Sequence, residues 1–122
     1  MAHLDDTAGT LIGADNVSGT AVYNAAGEDL GSIHDIIIDK KTGRVAYAVL
    51  SFGGFLGIGE KYHPLPWSAL TYDVNQGGYV VHLTREQLEG APQFDADERP
   101  DWRDRAYEQR IHDYYGIGPY WL

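Results

Sequence analysis

The sequence feature that most restricts the fold is a polar turn between two apolar runs rich in β-branched residues. The turn covers residues 39–43, and the apolar runs cover residues 33–38 and 45–50. Side chains of this type favour extended backbone, and a glycine such as Gly43 accepts the left-handed conformation that a tight hairpin requires. The Asp39 carboxylate can accept hydrogen bonds from backbone N–H groups two or three residues further on. The pattern therefore predicts a β-hairpin.

Further apolar runs, separated by glycine and polar residues, extend this hairpin into a β-meander. Gly27 marks an earlier turn by the same reasoning. Apolar residues on the two sides of His34 are out of phase for simple alternation, which predicts a bulge near His34 and Asp35. Six antiparallel strands are predicted, at residues 20–23, 29–39, 44–52, 61–65, 70–74 and 78–83.

Both faces of the third predicted strand are apolar. Tyr47 and Val49 lie on one face, and Ala48 and Leu50 lie on the other. A strand with two apolar faces is covered on both sides. One face belongs to the interior, and the other needs a cover from the C-terminal segment of the same chain or from another subunit.

Four short motifs occur in order along this meander: Gly27-Glu-Asp-Leu-Gly-Ser-Ile33, Asp39-Lys-Lys-Thr-Gly43, Ala48-Val-Leu-Ser-Phe-Gly-Gly54 and Pro66-Trp67. Their structural positions are Gly27, Gly31, Asp39, Gly43, Pro66 and Trp67. The order and spacing resemble the PRC-barrel domain, a small six-stranded barrel found in the H subunit of photosynthetic reaction centres, in the ribosome-maturation factor RimM and in many stand-alone proteins. The resemblance covers residues 11–88. It implies an all-β fold, a small six-stranded antiparallel barrel, that acts as a non-catalytic interaction module.

Three regions are predicted: an N-terminal extension at 1–10, a PRC-barrel domain at 11–90 and a helical, aromatic tail at 91–122. Near the end of the barrel domain, Thr84 and Gln87 form a capping-box pattern that predicts a short helix. Trp67, which follows a strand-ending proline, is expected to cap the barrel core; a partner-facing or ligand-stacking role is the alternative.

A C-terminal helix is predicted to begin at Pro100-Asp101-Trp102, because proline suits a first helical turn and acids favour the positive end of the helix dipole. Aromatic and apolar residues recur along one side of this helix at Trp102, Tyr107, Ile111 and Tyr114. These four are candidate partner-binding residues. The tail could pack on its own barrel, pack on the barrel of another protomer, or fold only when a partner binds.

A glycine-rich loop at 53–59 presents Phe55, Leu56 and Ile58, three further candidate partner-binding residues. Such apolar side chains in a surface loop either fold back as a lid or insert into a partner. The loop does not match a phosphate-binding motif, because Gly59 is followed by Glu60 instead of by Lys and a hydroxyl residue.

Composition disfavours several classes of partner. The 122 residues carry a net charge of −9 with a pI near 4.7, which counts against binding to nucleic acid or to an anionic membrane surface. Cysteine is absent, which excludes disulfides and thiolate chemistry. No run approaches the roughly 20 apolar residues of a membrane-spanning helix. We expect a cytoplasmic protein.

Catalytic motifs are not evident either. The five histidines lie far apart without metal-ligand spacing, and no serine lies in a nucleophile elbow. We therefore expect no enzyme activity, no metal site and no cofactor. The leading hypothesis is a self-associating interaction module that forms a homodimer or higher homo-oligomer. The alternatives are an accessory factor that binds a ribosomal or other basic protein, and a small-molecule binder or enzyme that uses the glycine-rich loop.

Overall fold

The computed structural model describes residues 11–52, 61–95 and 97–121, most of them in or around one seven-stranded sheet. The strands are β1 Ala21–Asn24, β2 Asp29–Ile38, β3 Val45–Phe52, β4 Lys61–Pro66, β5 Thr71–Asp73, β6 Gly78–Val81 and β7 Phe94–Asp95. The helices are α1 Ala14–Val17, α2 Arg85–Glu89 and α3 Arg105–Tyr115, and a 3₁₀ turn covers Trp67–Ala69. No helix within these ranges has the length and apolar character needed to cross a membrane.

The sheet is mixed, with the strand order β5-β6-β1-β2-β3-β4-β7. The mostly-β fold class is confirmed, and β1 to β6 overlap the six predicted strands. The expectation of six antiparallel strands closed into a barrel was not met, because β7 adds a seventh strand and β1 pairs with β6 in parallel. Among the described residues, no strand pairing joins β5 to β4 or β7, so the sheet is open.

The 3₁₀ turn explains why the meander pattern was misleading. Strands β1 to β4 alternate in direction, whereas the pairings of β6 with β1 and β5 require β5 to run in the same sense as β4. Pro66 ends β4, and the Trp67–Ala69 turn carries the chain onward without reversing it. A strand pairing that depends on a distant partner cannot be read from local alternation.

The predicted hairpin between β2 and β3 is present. The Lys41 N–H donates to the Asp39 carboxylate at 3.0 Å, and Gly43 adopts a left-handed φ of 78°. The register of β2 against β3 shifts between Ile33 and Asp35, which confirms the bulge. Glycine is also required at Gly31, because a Cβ there would lie 2.0 Å from the Ser51 carbonyl oxygen.

The inner face of the sheet encloses the main apolar core. Its buried residues include Val22, Ile33, Leu50, Leu65, Val81 and Leu88. Trp67 is half-buried against this core and meets Tyr79 edge to face at 5.5 Å. The expected packing of Trp67 on the core is therefore confirmed.

The outer face of the sheet at β3 and β4 is covered by α3 of the same chain. Ala46 and Tyr47 of β3 form a second apolar cluster with Ile111 of α3, and Trp102 and Tyr107 pack against it. Tyr115 contacts both this cluster and the main core. The prediction that both faces of the third strand are covered is confirmed.

The two longer helices differ in how well their starts were predicted. The capping box of Thr84 and Gln87 begins α2 as expected. α3 begins at Arg105 and not at Pro100, because the Asp101 side chain instead accepts the Arg103 N–H and holds a turn. Asp104 then caps the helix by accepting two backbone N–H groups.

Candidate functional site

A buried polar cluster joins α3 and the chain end to the outer face of β3. The Tyr47 hydroxyl donates to a Glu108 carboxylate oxygen at 2.9 Å, and the Tyr120 hydroxyl donates to the same oxygen at 2.7 Å. The Nε2 atom of His112 lies 2.9 Å from the Tyr47 hydroxyl. Tyr47, Glu108 and His112 are all almost fully buried. Buried polar groups held in this way rigidify the region they connect.

The contacts within this cluster show where the protons of the His112 Nδ1 atom and of the two tyrosine hydroxyls lie. A carbonyl oxygen can only accept, so the His112 Nδ1 atom, 3.1 Å from the Ile117 carbonyl, carries a proton. Burial and the Glu108 carboxylate raise the pKa of Tyr120 to about 12 and raise that of Tyr47 further. Both hydroxyls therefore stay protonated and serve as donors at neutral pH.

Cationic and aromatic groups surround the cluster. Arg105 lies 3.8 Å from Glu108 and places its guanidinium 3.9 Å from the centre of the Trp121 ring. Trp102 stacks on Tyr47 at 5.4 Å. The aromatic residues of the tail therefore contact other residues of the same chain. The cluster anchors the tail to the sheet.

Three of the four predicted tail residues contact the protein's own sheet. Ile111 is fully buried, while Trp102 and Tyr107 are partly buried against the second cluster. Tyr114 is 43% exposed, and its hydroxyl donates to the Gln87 carbonyl of α2. A partner-binding role for these residues stays a prediction. The loop residues Phe55, Leu56 and Ile58 lie outside the described part of the chain.

Sequence reasoning missed an exposed apolar surface at β5, which forms one edge of the sheet. Tyr72 is 39% exposed and Val74, just after the strand, is 54% exposed. No described strand pairs with the outer side of β5. The only sequence signal was a short run of alternating polar and apolar residues, which does not distinguish an edge strand from a central one.

The opposite edge is protected. β7 pairs with β4 only at Lys61 and Tyr62, and a salt bridge links Lys61 to Asp95. Beyond this pairing, β4 contains Pro64 and Pro66, which have no backbone N–H to offer another strand. The two edges of the sheet therefore differ in their capacity to pair with another chain.

His63 of β4 is buried, and neither of its ring nitrogens has a hydrogen-bonding partner among the described residues. Its ring meets Phe52 edge to face at 5.5 Å, and burial lowers its pKa to about 4. It is therefore neutral at physiological pH. No three ionisable side chains in the described ranges are placed to hold a metal ion.

The architecture defines a small, mostly-β protein with a mixed seven-stranded sheet, a buried core and a C-terminal helix on the outer face of the sheet. The PRC-barrel domain model matches residues 9–88, and the chain belongs to this family. It is also similar to an uncharacterized protein of Deinococcus radiodurans, with 26% identity over 83 residues. The matched region is 68% of this chain and 29% of that relative, so the chain spans under a third of the relative's length.

Proposed function

We propose that this protein is a non-catalytic interaction module of the PRC-barrel type that self-associates through the exposed edge at β5. The observation that carries the proposal is the contrast between the two sheet edges. β5 presents exposed apolar side chains and a backbone edge that no described strand pairs with, whereas the β4 edge carries β7 and two prolines. Unpaired edge strands are templates for pairing with another chain.

A second copy of the chain fits this edge. Two β5 strands can pair antiparallel around a two-fold axis near Tyr72, so that each protomer contributes the same surface. Tyr72 and Val74 would then become more buried, which supplies apolar contact area in addition to the backbone hydrogen bonds. Because β5 has only three residues, we expect a reversible dimer instead of an obligate one.

The test is the solution mass of the full chain over a concentration series, measured by size-exclusion chromatography with light scattering. Val74→Lys introduces a charge that is costly to bury at the edge and should weaken the dimer by about tenfold. Ile38→Lys is the matched control, because Ile38 is 47% exposed and lies in β2, away from β5. We expect this control to dimerise normally.

Two results would contradict this placement of the interface. One is a chain that stays monomeric throughout the concentration series. The other is an equal loss of dimer in the Val74→Lys and Ile38→Lys variants, since that would indicate a general effect of added positive charge. Circular dichroism of both variants separates a loss of association from a loss of folding.

A basic protein partner is the second candidate, and the net charge of −9 favours it. Electrostatic attraction of this kind weakens as salt increases. Co-sedimentation with ribosomal subunits that is lost at moderate salt would support a role as an accessory factor. Retention of the complex at high salt would argue against a charge-driven contact.

A further inference from the structure

A cleft of about 290 Å³ lies between the outer face of the sheet and the segment that connects β7 to α3. Ile37 of β2 and Val49 of β3 contribute apolar lining from the sheet. Pro100 and Trp102 contribute lining from the connecting segment. This cleft shares no residue with the β5 edge, and it adjoins the buried cluster around Glu108 through Trp102, which stacks on Tyr47.

Four rings line the cleft. His34 stacks on Tyr62 at 4.2 Å, and Phe94 lies 5.6 Å from Tyr62 at an angle of 40°. Trp102, whose ring stacks on Tyr47, forms a further part of the lining. The faces of the Tyr, Phe and Trp rings carry negative partial charge, so a cation that reaches one of these faces is attracted to it.

The charged residues of the lining also favour the binding of a cation. Asp35 and Glu98 supply two exposed carboxylates, and Arg99 supplies the one guanidinium in this lining. Arg99 makes no ion pair within the described residues, and its guanidinium lies over none of their rings. The lining therefore combines aromatic rings with an excess of negative charge.

We propose that this cleft binds an organic cation, an ammonium or guanidinium group carried on a short apolar stem. Ile37 and Val49 would contact the stem, while the rings and the two carboxylates would contact the cationic head. The volume is at the lower limit for small-molecule sites, which suits a single amine or one lysine or arginine side chain. The proposal does not depend on dimerisation through β5.

Trp102 provides a direct reporter. The chain has three tryptophans, and Trp102 is the one that lines the cleft. Their indole N–H signals can be assigned in ¹H–¹⁵N spectra from Trp67→Phe and Trp121→Phe variants. Agmatine, N-acetyl-lysine methylamide and N-acetyl-arginine methylamide are the cationic probes, and N-acetyl-norleucine methylamide is the neutral control.

We expect the cations to shift the Trp102 indole signal saturably, with dissociation constants on the order of millimolar. The signals of Trp67 and Trp121 should move little. The neutral probe should cause no saturable shift. Tighter binding of the capped amino acids than of agmatine would indicate a partner's side chain as the natural ligand, and the reverse order would indicate a free amine.

Charge variants test the carboxylates without removing an aromatic ring. Asp35→Asn combined with Glu98→Gln should weaken cation binding by about fivefold, since amides keep the hydrogen-bonding oxygen but lose the charge. Asp15→Asn combined with Glu89→Gln removes the same charge from exposed positions outside the cleft lining and should leave binding unchanged.

Arg99→Gln should strengthen binding by about threefold, because it removes a competing positive charge from the lining. A gain in affinity cannot result from misfolding. The proposal is overturned if the neutral probe shifts Trp102 as strongly as the cations do, or if no probe moves this signal. It is also overturned if the charge variants at Asp35, Glu98 and Arg99 leave the affinity unchanged.

Discussion

At the scale of single residues, His63 links the stability of the fold to pH. Both ring nitrogens are buried without a partner in the described part of the chain. The neutral ring therefore carries an unmet hydrogen-bonding cost, and the charged ring would carry a larger one. Burial lowers its pKa to about 4 in the folded protein, whereas an unfolded chain has an ordinary histidine pKa of about 6.5. Folding is therefore coupled to the protonation of this side chain.

We expect the free energy of unfolding to decrease as the pH falls from 6.5 to 4, by at most about 3 kcal/mol from His63 alone. In this window the unfolded state binds more protons than the folded state, which gives the sign. His63→Leu should reduce this pH dependence and should be neutral or stabilising by about 1 kcal/mol at pH 7. Urea denaturation at several pH values measures both effects.

His82→Gln is the control for this prediction, because His82 is exposed. It should keep the full pH dependence of the parent chain. Carboxylates also titrate near the lower end of this range, so the informative quantity is the difference between each variant and the parent. A His63→Leu protein with an unchanged slope would show that another group is responsible.

At the scale of elements, α3 contributes the buried residue Ile111 to the second apolar cluster. Ile111 is fully buried against Ala46 and Tyr47, and Glu108, one turn earlier in the same helix, accepts a hydrogen bond from the Tyr47 hydroxyl. Truncation of the tail would expose the apolar outer face of β3. A change in oligomeric state after truncation would therefore reflect this exposed face as readily as a lost interface.

A single substitution tests the docking of the helix more cleanly. Ile111→Ala should lower the free energy of unfolding by about 2–4 kcal/mol, because it leaves a cavity in the second cluster. Gln109→Ala, at an exposed position of α3, should cost less than about 0.5 kcal/mol. Urea denaturation at two protein concentrations measures both variants.

The same data separate the two arrangements of the tail. If α3 packs on its own sheet, the cost of Ile111→Ala is independent of protein concentration. If α3 is exchanged between protomers, stability still depends on concentration in the Val74→Lys variant, in which the proposed dimer through β5 is weakened. Equal effects of the Ile111→Ala and Gln109→Ala variants would mean that α3 is not docked on β3.

Local patterns were sufficient for the elements that depend on local chemistry. Turn residues such as Asp39 and Gly43 and the phase change at His34 predicted the β2–β3 hairpin and its bulge. Pairings between distant segments were not predictable in this way, which accounts for β7 and for the parallel β1–β6 pair. The predicted start of α3 was wrong because Asp101 and Asp104 are both suitable capping residues and lie only three positions apart.

The sites were less predictable than the fold. Two apolar faces on the third strand were enough to infer a covering element, but not to identify Glu108 and His112 as its polar anchors. Tyr47 lies 61 and 65 residues away from these partners along the chain. Four-residue spacing on a helix was the only local sign that Glu108 and His112 share a face. The aromatic cleft likewise combines residues from four separate segments.

At the scale of the whole molecule, the net charge of −9 opposes any contact between two copies. Apolar contact at β5 would have to exceed this repulsion for the proposed dimer to form. Salt screens repulsion between like-charged surfaces while leaving apolar contacts in place or strengthening them. The ionic-strength dependence of association therefore indicates which kind of interaction holds the dimer.

We expect the dimer of the parent chain to become tighter at neutral pH when the salt concentration rises from about 0.01 M to about 0.15 M. Over this range the Debye length falls from about 30 Å to about 8 Å, so the repulsion between protomers is largely screened. Sedimentation equilibrium measures the dissociation constant at each salt concentration, and Val74→Lys should bind more weakly than the parent at the higher one. A dimer that loosens as salt is added would mean that ion pairs hold it, which is incompatible with an apolar interface at Tyr72 and Val74.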